Sequence, residues 1–393
     1  MKKVYLITEY YHQNQNTTGY LLGKLYETFN EQSDIDLTLI AKKDLNCPEY
    51  SNAHYINAKE PDKRSLIKRF LYELVISIKF LIKTLRVVEK GSIVFTGTTP
   101  IFLLFVLYFV KKVLNFKWVL LVHDVFPENL VPAKILKEKN FLYKTAKWLF
   151  DKIYASADEV IVIGRDMKEL IFQKTNKENI TIVQNWIDPS DVGIEIKQNN
   201  QILKELSWNK DDTTVFQFFG NIGRMQGVGI ILNAIKKMEN LHLAKFIFIG
   251  NGAYVSELKD QIQAIGSENV RYYGSLNQQE KTKGLNACDI ALVTLAEGML
   301  GLGVPSKSYF SMAADKPILA IMDQESEVAD MVRTHKIGWV ASPDDENKLA
   351  FILDQIVLSR HQLELNSSRA ILEQYYSEQV AMDKILKIIA KIN

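Results

Sequence analysis

The chain has 393 residues, of which 47% are hydrophobic and 24% are charged, a composition typical of folded globular proteins. This length exceeds what one ordinary hydrophobic core supports, so two domains are predicted. The formal net charge of +2 provides no strong basic field and disfavours a nucleic-acid-binding protein. Two widely separated cysteines, Cys47 and Cys288, predict neither a disulfide framework nor a metal-binding cluster.

Strands and helices alternate along the first half of the chain. Residues 4–8 are too few for the apolar core of a signal peptide and no cleavage site follows, so they predict a buried strand and a protein that is not exported. Residues 19–30 and 65–88 have helical spacing. Further strands are predicted at residues 36–41, 92–95, 118–122 and 159–163.

Two segments of this half have a composition that suits a lipid surface. The predicted helix of residues 65–88 is amphipathic and basic. Its basic residues are Lys68, Arg69, Lys79, Lys83 and Arg86. Residues 101–110, IFLLFVLYFV, fall short of the ~20 apolar residues that span a bilayer. They predict a buried or half-buried helix, with a helix lying in the membrane interface as the alternative.

A polar segment without periodicity, residues 188–201, is the predicted linker between two domains. Beyond it the alternation resumes, with strands predicted at residues 215–220, 245–250, 270–274, 289–295, 317–322 and 338–341. Such alternation predicts parallel sheets with right-handed crossovers. We therefore expect an α/β fold of two doubly wound, Rossmann-like domains, residues 1–188 and 202–372. A C-terminal helix of about residues 373–393 is expected to pack on the first domain.

Ligands of parallel sheets bind in the loops that follow the carboxyl ends of strands. One such loop, FGNIGRMQG, contains Asn221, Gly223 and Arg224. Its glycines allow backbone N–H groups to approach an anion, and the Arg224 guanidinium matches a phosphate with two parallel hydrogen bonds. The alternative is a plain strand-to-helix turn with a surface arginine.

A second loop, GLGVPSK, contains Gly301, Ser306 and Lys307 and leads into a helix that Ser306 is predicted to cap. A lysine in the first helical turn opposes the helix dipole, which indicates an anion nearby. The alternative is a solvated loop lysine. We expect Arg224 and Lys307 together to hold a diphosphate.

Other glycines predict ligand contacts less strongly. Glycine-containing turns after two more strands could offer backbone groups to a base or a sugar, although such turns also occur in proteins without a ligand. These residues are Gly250, Asn251, Gly252 and Gly274. Gly19 opens a helix after a polar loop, which predicts another close backbone approach to a ligand.

The segment HDVFPE places three ionisable side chains, His123, Asp124 and Glu128, after a predicted strand. His123 is suited to bonding a hydroxyl group, and the carboxylates to binding or deprotonating an acceptor. The structural alternative is a capping aspartate beside a packed histidine.

Several cofactor motifs are absent from the sequence. No Gly-x-Gly-x-x-Gly follows the first strand, which disfavours a nicotinamide or flavin enzyme, and no Walker A loop occurs. Asp34 and Asp36 form the single Asp-x-Asp pair, at the entry to a strand, the wrong end for a metal–diphosphate site. The prediction is therefore a site without metal or cofactor, in which side-chain cations and helix termini neutralise the diphosphate.

Across nearly the whole chain the sequence resembles retaining glycosyltransferase family 4, which has the GT-B fold. The resemblance is carried by GNIGRMQG, FIGNGAYVSELK, VPSK followed by MAADKPILA, SEVADMV, HDVFPE and QNWID. It is strongest to the bacterial capsule and O-antigen branch that includes the L-fucosamine transferases. The resemblance implies that Arg224 and a lysine contact the donor diphosphate. It also implies that the loop from Met299 to Gly301 approaches the donor sugar and phosphate, and that His123 and Asp124 face the donor sugar and the acceptor.

The sequence departs from the family pattern at two positions. The family's common lysine is missing after Arg224, where Gln226 stands before the glycine, so Lys307 is left as the second cation. The glutamate that binds the nucleotide ribose falls near Phe310, which accepts no hydrogen bond. Glu297 corresponds to the earlier acidic position of the family, but its spacing to Phe310 is longer than the family's by several residues.

The resemblance implies transfer of a sugar of the N-acetylated hexosamine type from a UDP-sugar to a polyprenyl-diphosphate-linked glycan. The two domains are expected to face each other across a cleft and to close on the donor. We expect a cytoplasmic protein, peripheral on the inner face of the bacterial cytoplasmic membrane. Two alternatives remain open at this point: a UDP-sugar 2-epimerase of the same architecture, and a non-catalytic nucleotide-sugar-binding subunit.

Overall fold

A computed structural model describes residues 1–58, 66–359, 362 and 364–392. The chain divides into two units, each built on its own sheet. Unit 1 comprises Met1–Glu128, Lys137–Gln184 and the residues from Ala381 onward, and unit 2 comprises Asn129–Leu136 and Asn185–Val380.

Unit 1 contains a parallel sheet of seven strands in the order β3-β2-β1-β4-β5-β6-β7. The strands are β1 Lys2–Thr8, β2 Ile35–Lys42, β3 Ala53–Ile56, β4 Ile93–Thr96, β5 Lys117–Val122, β6 Glu159–Val162 and β7 Ile180–Ile182. The five strands predicted in this half are confirmed. The prediction missed β3 and β7, because both are edge strands of three or four residues and carry a weak apolar signal.

The connections between these strands include five helices. They are α1 Thr17–Glu31, α2 Leu66–Val87, α3 Ile101–Leu114, α4 Phe141–Ser156 and α5 Arg165–Thr175. Helix α2 is the predicted basic helix, and Ser65 at its predicted start lies outside the described residues. Helix α3 buries Leu103, Leu107 and Val110 and leaves Phe109 exposed, so the apolar run forms a half-buried helix, and the contact with a membrane that was the alternative stays a prediction.

Among the described residues, no helix combines the length and the hydropathy that crossing a membrane requires.

Unit 2 contains a second parallel sheet, of six strands in the order β10-β9-β8-β11-β12-β13. The strands are β8 Thr214–Phe219, β9 Ala244–Ile249, β10 Val270–Gly274, β11 Ile290–Thr294, β12 Ile318–Ile321 and β13 Gly338–Ala341. All six were predicted from apolar runs, because strands that are covered on both faces are continuously hydrophobic. Phe216 and Phe246 stack at 5.0 Å between adjacent strands in its core.

Eight α-helices accompany these strands in the described part of unit 2, the first of them before β8. They are α6 Gln201–Glu205, α7 Val228–Ile235, α8 Val255–Ile265, α9 Lys281–Leu285, α10 Lys307–Ala313, α11 Glu327–His335, α12 Glu346–Ser359 and α13 Ser368–Ile371. The predicted linker, residues 188–201, lies within unit 2. There the Lys197 ammonium group is buried and bonds Asp289 at 2.7 Å, and Asn200 bonds the Lys283 carbonyl at 2.9 Å. These long-range polar bonds order a segment that has no apolar periodicity.

The C-terminal residues form helix α14, Glu378–Lys391, separated from α13 by a π-helical turn at Leu372–Tyr376. From Ala381 onward this helix belongs to unit 1. The Lys2 ammonium group donates to carbonyls at the helix end, including those of Ile389 at 2.9 Å and Ala390 at 2.7 Å. A cation at this position also opposes the partial negative charge of the helix C-terminus.

Candidate functional site

The strand order of unit 2 reverses between β8 and β11. The chain proceeds from β8 outward to β10, and then from β11 outward in the opposite direction to β13. Loops that leave neighbouring strands in opposite directions open a crevice at the carboxyl ends, where ligands of such sheets bind. The loops that carry Arg224 and Lys307 leave from these two strands, so the fold brings the two predicted cations to one switch point.

The loop after β8, residues 220–227, is packed against the loop after β9. The Gly220 N–H donates to the Ile249 carbonyl, and the Ile222 N–H to the Asn251 carbonyl, each at 2.9 Å. A Cβ atom on Gly250, where φ is +139°, would lie 1.8 Å from the Gly220 carbonyl oxygen. Glycine is therefore required at position 250 by the contact between these two loops.

Similar internal contacts involve the other predicted glycines of this edge. A Cβ atom on Gly252 would lie 2.3 Å from the Ile222 oxygen, and one on Gly223 would lie 3.0 Å from the Asn221 amide nitrogen. The Gly274 carbonyl accepts from the Gly250 N–H at 2.7 Å. The backbone contacts account for Gly250 and Gly252 without a ligand, whereas Gly274 has a φ of +104° that favours glycine and no atom within 4 Å of an added Cβ. The donor contacts predicted for these glycines and for Asn221 and Asn251 stay predictions.

The loop after β11 joins the loop after β8 through its backbone. The Ala296 N–H donates to the Met225 carbonyl at 2.9 Å. Glu297 is exposed, Met299 is buried, and Gly301 has a φ of +73° that favours glycine. The loop thus turns back toward the residues that follow β8.

The predicted cap at Ser306 is wrong. Ser306 precedes α10, but its side chain makes no capping hydrogen bond. Its backbone is already helical, with φ −59° and ψ −22°, whereas a capping residue is extended and points its oxygen at the N–H groups of the first turn.

The Lys307 side chain connects the two loops of the switch point. Its ammonium group donates a hydrogen bond to the Gln226 side-chain oxygen and lies 4.0 Å from the centroid of the Phe218 ring. Burial lowers the pKa of Lys307 to about 7. The ammonium group of α10 therefore reaches the loop after β8 at Gln226, two residues beyond Arg224.

Arg224, by contrast, extends into solvent. Its side chain is 73% exposed, and its Nη2 lies 3.8 Å from the Glu257 carboxylate, a separation at which an exposed ion pair contributes little. An exposed guanidinium with a weak partner can turn toward an incoming phosphate without breaking a strong contact.

Phe310, at the expected position of the ribose-binding glutamate, is buried beneath a lysine. The Lys281 ammonium group lies 3.4 Å from the centroid of its ring. Burial lowers the pKa of Lys281 to about 8, although the Asp191 charge opposes this shift. The sequence prediction missed Lys281, because it lies in a short polar segment that shows no motif.

In unit 1 the strand order reverses between β1 and β4. Gly19 lies near this edge, and a Cβ atom there would be 2.4 Å from the His12 carbonyl oxygen, so the close approach at Gly19 is made by the chain itself. The prediction missed Glu9, which directly follows β1. Its buried carboxylate lies 3.5 Å from the Lys42 ammonium group and accepts from the Tyr72 hydroxyl at 2.5 Å. His123 was selected because it follows a predicted strand, and the same criterion would have selected Glu9.

His123 and Asp124 follow β5, and both have perturbed acidity. Burial lowers the pKa of His123 to about 4 and raises that of Asp124 to about 6. The imidazole is therefore neutral at pH 7, and its Nε2 has no hydrogen-bond partner within the described part of the chain. A buried imidazole nitrogen without a partner is suited to a ligand hydroxyl.

Glu128 lies in an ion-pair network. Its Oε1 is 2.5 Å from the ammonium group of Lys174, which is nearly fully buried, and 3.2 Å from that of Lys147. Lys174 also contacts Asp151 at 2.6 Å. This network gives Glu128 a structural role in unit 1, and its predicted role in catalysis stays a prediction.

No group of three or more His, Cys, Asp or Glu side chains in the described ranges is arranged to hold a metal ion.

Comparison with known proteins places the chain among glycosyltransferases. A family model described as glycosyl transferases group 1 matches residues 199–375. The probable glycosyltransferase WbjE of Pseudomonas aeruginosa is 39% identical over 394 residues, spanning 98% of this chain and 96% of the relative.

Two solved structures show the same fold over the whole chain. Sucrose-phosphate synthase from Thermosynechococcus elongatus matches with a TM-score of 0.76 at 14% identity, covering 100% of this chain and 99% of its own. HepE from Anabaena, solved in complex with UDP-glucose, matches with a TM-score of 0.73 at 14% identity, covering 99% of this chain and 100% of its own. The predicted GT-B architecture of two Rossmann-like domains is thereby confirmed.

Proposed function

Because the chain belongs to the group 1 glycosyltransferases, we propose that it transfers a sugar from a UDP-sugar to a lipid-linked glycan with retention of configuration. The resemblance to the capsule and O-antigen branch supports a sugar of the N-acetylated hexosamine type. It also supports a polyprenyl-diphosphate-linked acceptor at the inner face of the cytoplasmic membrane. The UDP-glucose complex of HepE supports the choice of uridine in the donor.

The contact between Lys307 and Gln226 carries the donor half of this proposal. It brings the ammonium group of Lys307 to the switch point of unit 2, where it touches the loop that holds Arg224. Negative charge develops on the diphosphate as the bond to the sugar breaks, and fixed cations in a site of low dielectric stabilise that charge. Lys307 is the preorganised cation, and Arg224 is the mobile one. The proposal requires no protein nucleophile and no metal.

The acceptor half rests on His123 and Asp124. A neutral imidazole with an unpaired buried nitrogen suits hydrogen bonding to a sugar hydroxyl, and Asp124 is mostly ionised at pH 7. A carboxylate with a raised pKa is the better proton acceptor, which suits Asp124 to taking a proton from the acceptor hydroxyl.

A non-catalytic nucleotide-sugar-binding subunit is the second candidate. The observation that favours it is Phe310, which cannot bind the ribose hydroxyls as a glutamate does. Such a subunit binds UDP but turns over no donor.

A two-stage experiment tests the proposed function. A thermal-shift screen of UDP, GDP and ADP should select UDP, and UDP release from UDP-sugars should then require a lipid-linked acceptor and persist in EDTA. Return of an isomeric UDP-sugar without acceptor would indicate a 2-epimerase instead. UDP binding without release across a panel of acceptors would indicate the non-catalytic subunit.

The pKa of Lys307 predicts a pH dependence of UDP binding. Because burial lowers this pKa to about 7, the side chain is mostly neutral at pH 8 in the free protein. The charge of a bound diphosphate raises the pKa again, so binding at pH 8 takes up a proton. UDP affinity should therefore fall by about tenfold per pH unit above pH 7, because one proton is linked to binding.

Calorimetry in buffers of different ionisation enthalpy measures that proton directly. We expect an uptake approaching one proton at pH 8 and close to zero at pH 6. The Lys307→Met variant should lose both the uptake and the slope, and a wild-type affinity that is flat between pH 6 and 9 would contradict the assignment.

A further inference from the structure

Exposed apolar side chains are concentrated on three helices of unit 1. Of the twenty-two exposed large hydrophobic residues in the described part of the chain, seven lie on α2, two on α3 and three on α4. Contiguous exposed apolar surface on a protein marks an interaction site. We call the outward side of these three helices the docking face.

Helix α2 contributes a continuous apolar stripe to this face. Its residues recur every three or four positions, the spacing of one helix face. They are Leu71, Val75, Ile78, Ile82 and Leu85, with exposed fractions between 46% and 52%. The opposite side of α2 buries Ile76, Phe80 and Thr84 in unit 1. The helix is therefore apolar on two sides, and only one of them is covered by the protein.

The three helices lie side by side on one face of the sheet. The connections from β3 to β4, β4 to β5 and β5 to β6 run in the same direction across the sheet, and right-handed crossovers then place α2, α3 and α4 on the same side. Phe70 of α2 contacts Phe102 of α3 at 5.3 Å, and Phe105 of α3 contacts Phe150 of α4 at 4.9 Å between ring centroids. The remaining exposed apolar residues of the face are Leu74, Phe109, Val113, Phe141, Leu142 and Trp148.

The charge of these helices is strongly positive. They carry ten lysines and arginines and two acidic residues, whereas the whole chain has a formal net charge of +2. Both acids are engaged within unit 1. The Glu73 carboxylate accepts from the Ile101 N–H at 3.1 Å, and Asp151 pairs with Lys147 and Lys174.

The cations flank the apolar residues. Lys68, Lys79 and Arg86 are exposed, and their spacing aligns them along one edge of the α2 stripe. Lys112 lies 4.3 Å from the Tyr108 ring and Lys152 lies 3.6 Å from the Trp148 ring, so cations and amphipathic rings are paired on α3 and α4 as well.

We propose that the docking face binds the surface of an anionic lipid bilayer. The apolar stripe and Trp148 enter the boundary between headgroups and acyl chains, and the exposed lysines and arginines, such as Lys79, Arg86 and Lys152, contact the lipid phosphates. The charge of the face favours a lipid surface over a second copy of this chain. Apolar residues bordered by cations complement an anionic surface, whereas two copies of the same positive face repel each other. The inference rests on the proposed function only for its purpose, which is to hold the protein where a lipid-linked acceptor lies.

Vesicle flotation without donor or acceptor tests the proposal separately from sugar transfer. The full-length protein should float with phosphatidylcholine vesicles that contain about one third phosphatidylglycerol and much less with pure phosphatidylcholine. Binding should fall when NaCl rises from about 50 mM to about 500 mM. The Ile78→Ser/Ile82→Ser variant should bind at least about tenfold more weakly. Its matched control, Phe351→Ser/Leu358→Ser on α12, removes two apolar residues of unit 2 that are even more exposed and should bind as the wild type does.

Trp148 provides an independent readout, since the other four tryptophans are buried or half-buried. Emission should shift to the blue on binding, brominated acyl chains should quench it, and Trp148→Phe should remove both effects. Absence of flotation with anionic vesicles, or flotation unchanged in Ile78→Ser/Ile82→Ser, would overturn the proposal. So would a wild-type dimer that this variant makes monomeric while vesicles stay unbound, because the face would then be a protein interface.

Discussion

Replacing Lys307 by methionine should lower the rate of sugar transfer by about 10²- to 10³-fold, the effect of removing one preorganised charge-stabilising group. The loss should appear in kcat and in UDP affinity, because the cation contacts the diphosphate before and during bond breaking. The free protein should be at least as stable as the wild type. A lysine whose pKa is lowered in the folded state destabilises that state at neutral pH, because the unfolded chain binds the proton more tightly. This penalty develops as pH falls from the ordinary lysine pKa of 10.5 to the folded pKa of about 7 and is fully present below it.

Lower activity and UDP affinity without a loss of stability in Lys307→Met distinguish a functional lysine from a structural one. Transfer is measured as UDP release with acceptor, binding by calorimetry, and stability by thermal unfolding without ligand. Lys348→Met is the matched control, because Lys348 is an exposed lysine of the first turn of α12 in the same unit. A Lys307→Met protein that binds UDP normally, or that unfolds at a lower temperature than the control, would remove Lys307 from the donor site.

Replacing Gly250 by alanine should have the largest effect on the folded structure near the candidate site. The new Cβ would lie 1.8 Å from the Gly220 carbonyl oxygen, and the φ of +139° is one that side chains rarely adopt. Overlap and strain together should lower the free energy of unfolding by about 3 to 5 kcal/mol. The β8 loop must also move, which displaces Gln226 and Arg224 and should lower UDP affinity in the protein that remains folded.

Gly338→Ala is the matched control for this prediction. Its Cβ would lie 1.9 Å from the Ile318 oxygen at a φ of +154°, but at the amino end of the strands, away from the loops of the switch point. Both variants should be destabilised in urea unfolding, and only Gly250→Ala should lose UDP affinity.

If Gly250→Ala yields no folded protein, Gly274→Ala offers a milder test at the same edge. Its φ is +104° and nothing lies within 4 Å of the new Cβ, so strain alone should cost about 1 to 2 kcal/mol. Equal UDP affinity in all of these variants would contradict a donor site at the carboxyl ends of β8, β9 and β10.

Local periodicity predicted the elements of the fold well where burial was complete. The strands of unit 2 were recognisable because helices cover the sheet on both faces, which makes each central strand a continuous apolar run. The edge strands β3 and β7 were missed, since an edge strand has one neighbour and tolerates polar residues. Residues 188–201 read as a linker because their order depends on polar bonds to distant residues, such as that of Lys197 to Asp289.

The site was predicted less completely than the fold. Arg224 and Lys307 were predicted from glycines and a cation after a strand, a pattern with a physical basis in anion binding, and their role at the donor stays a prediction. The cap at Ser306 was wrong, because capping depends on a backbone conformation that residue type does not fix. Lys281 over Phe310 and the Glu9–Lys42 pair were missed, since each joins residues from different elements.

By itself, the sequence predicted Lys307 as the second cation of the candidate donor site, because alternation placed each glycine loop after a strand and no lysine follows Arg224 in its loop. Only the tertiary structure decided that Lys307 reaches Gln226. That contact depends on the pairing of β8 with β11, which brings loops about 80 residues apart to one crevice. The same holds for α2, whose sequence is apolar on two sides and whose packing decides which side remains exposed. Strand order and helix orientation depend on contacts between residues far apart in the sequence, and a local sequence pattern does not contain these contacts.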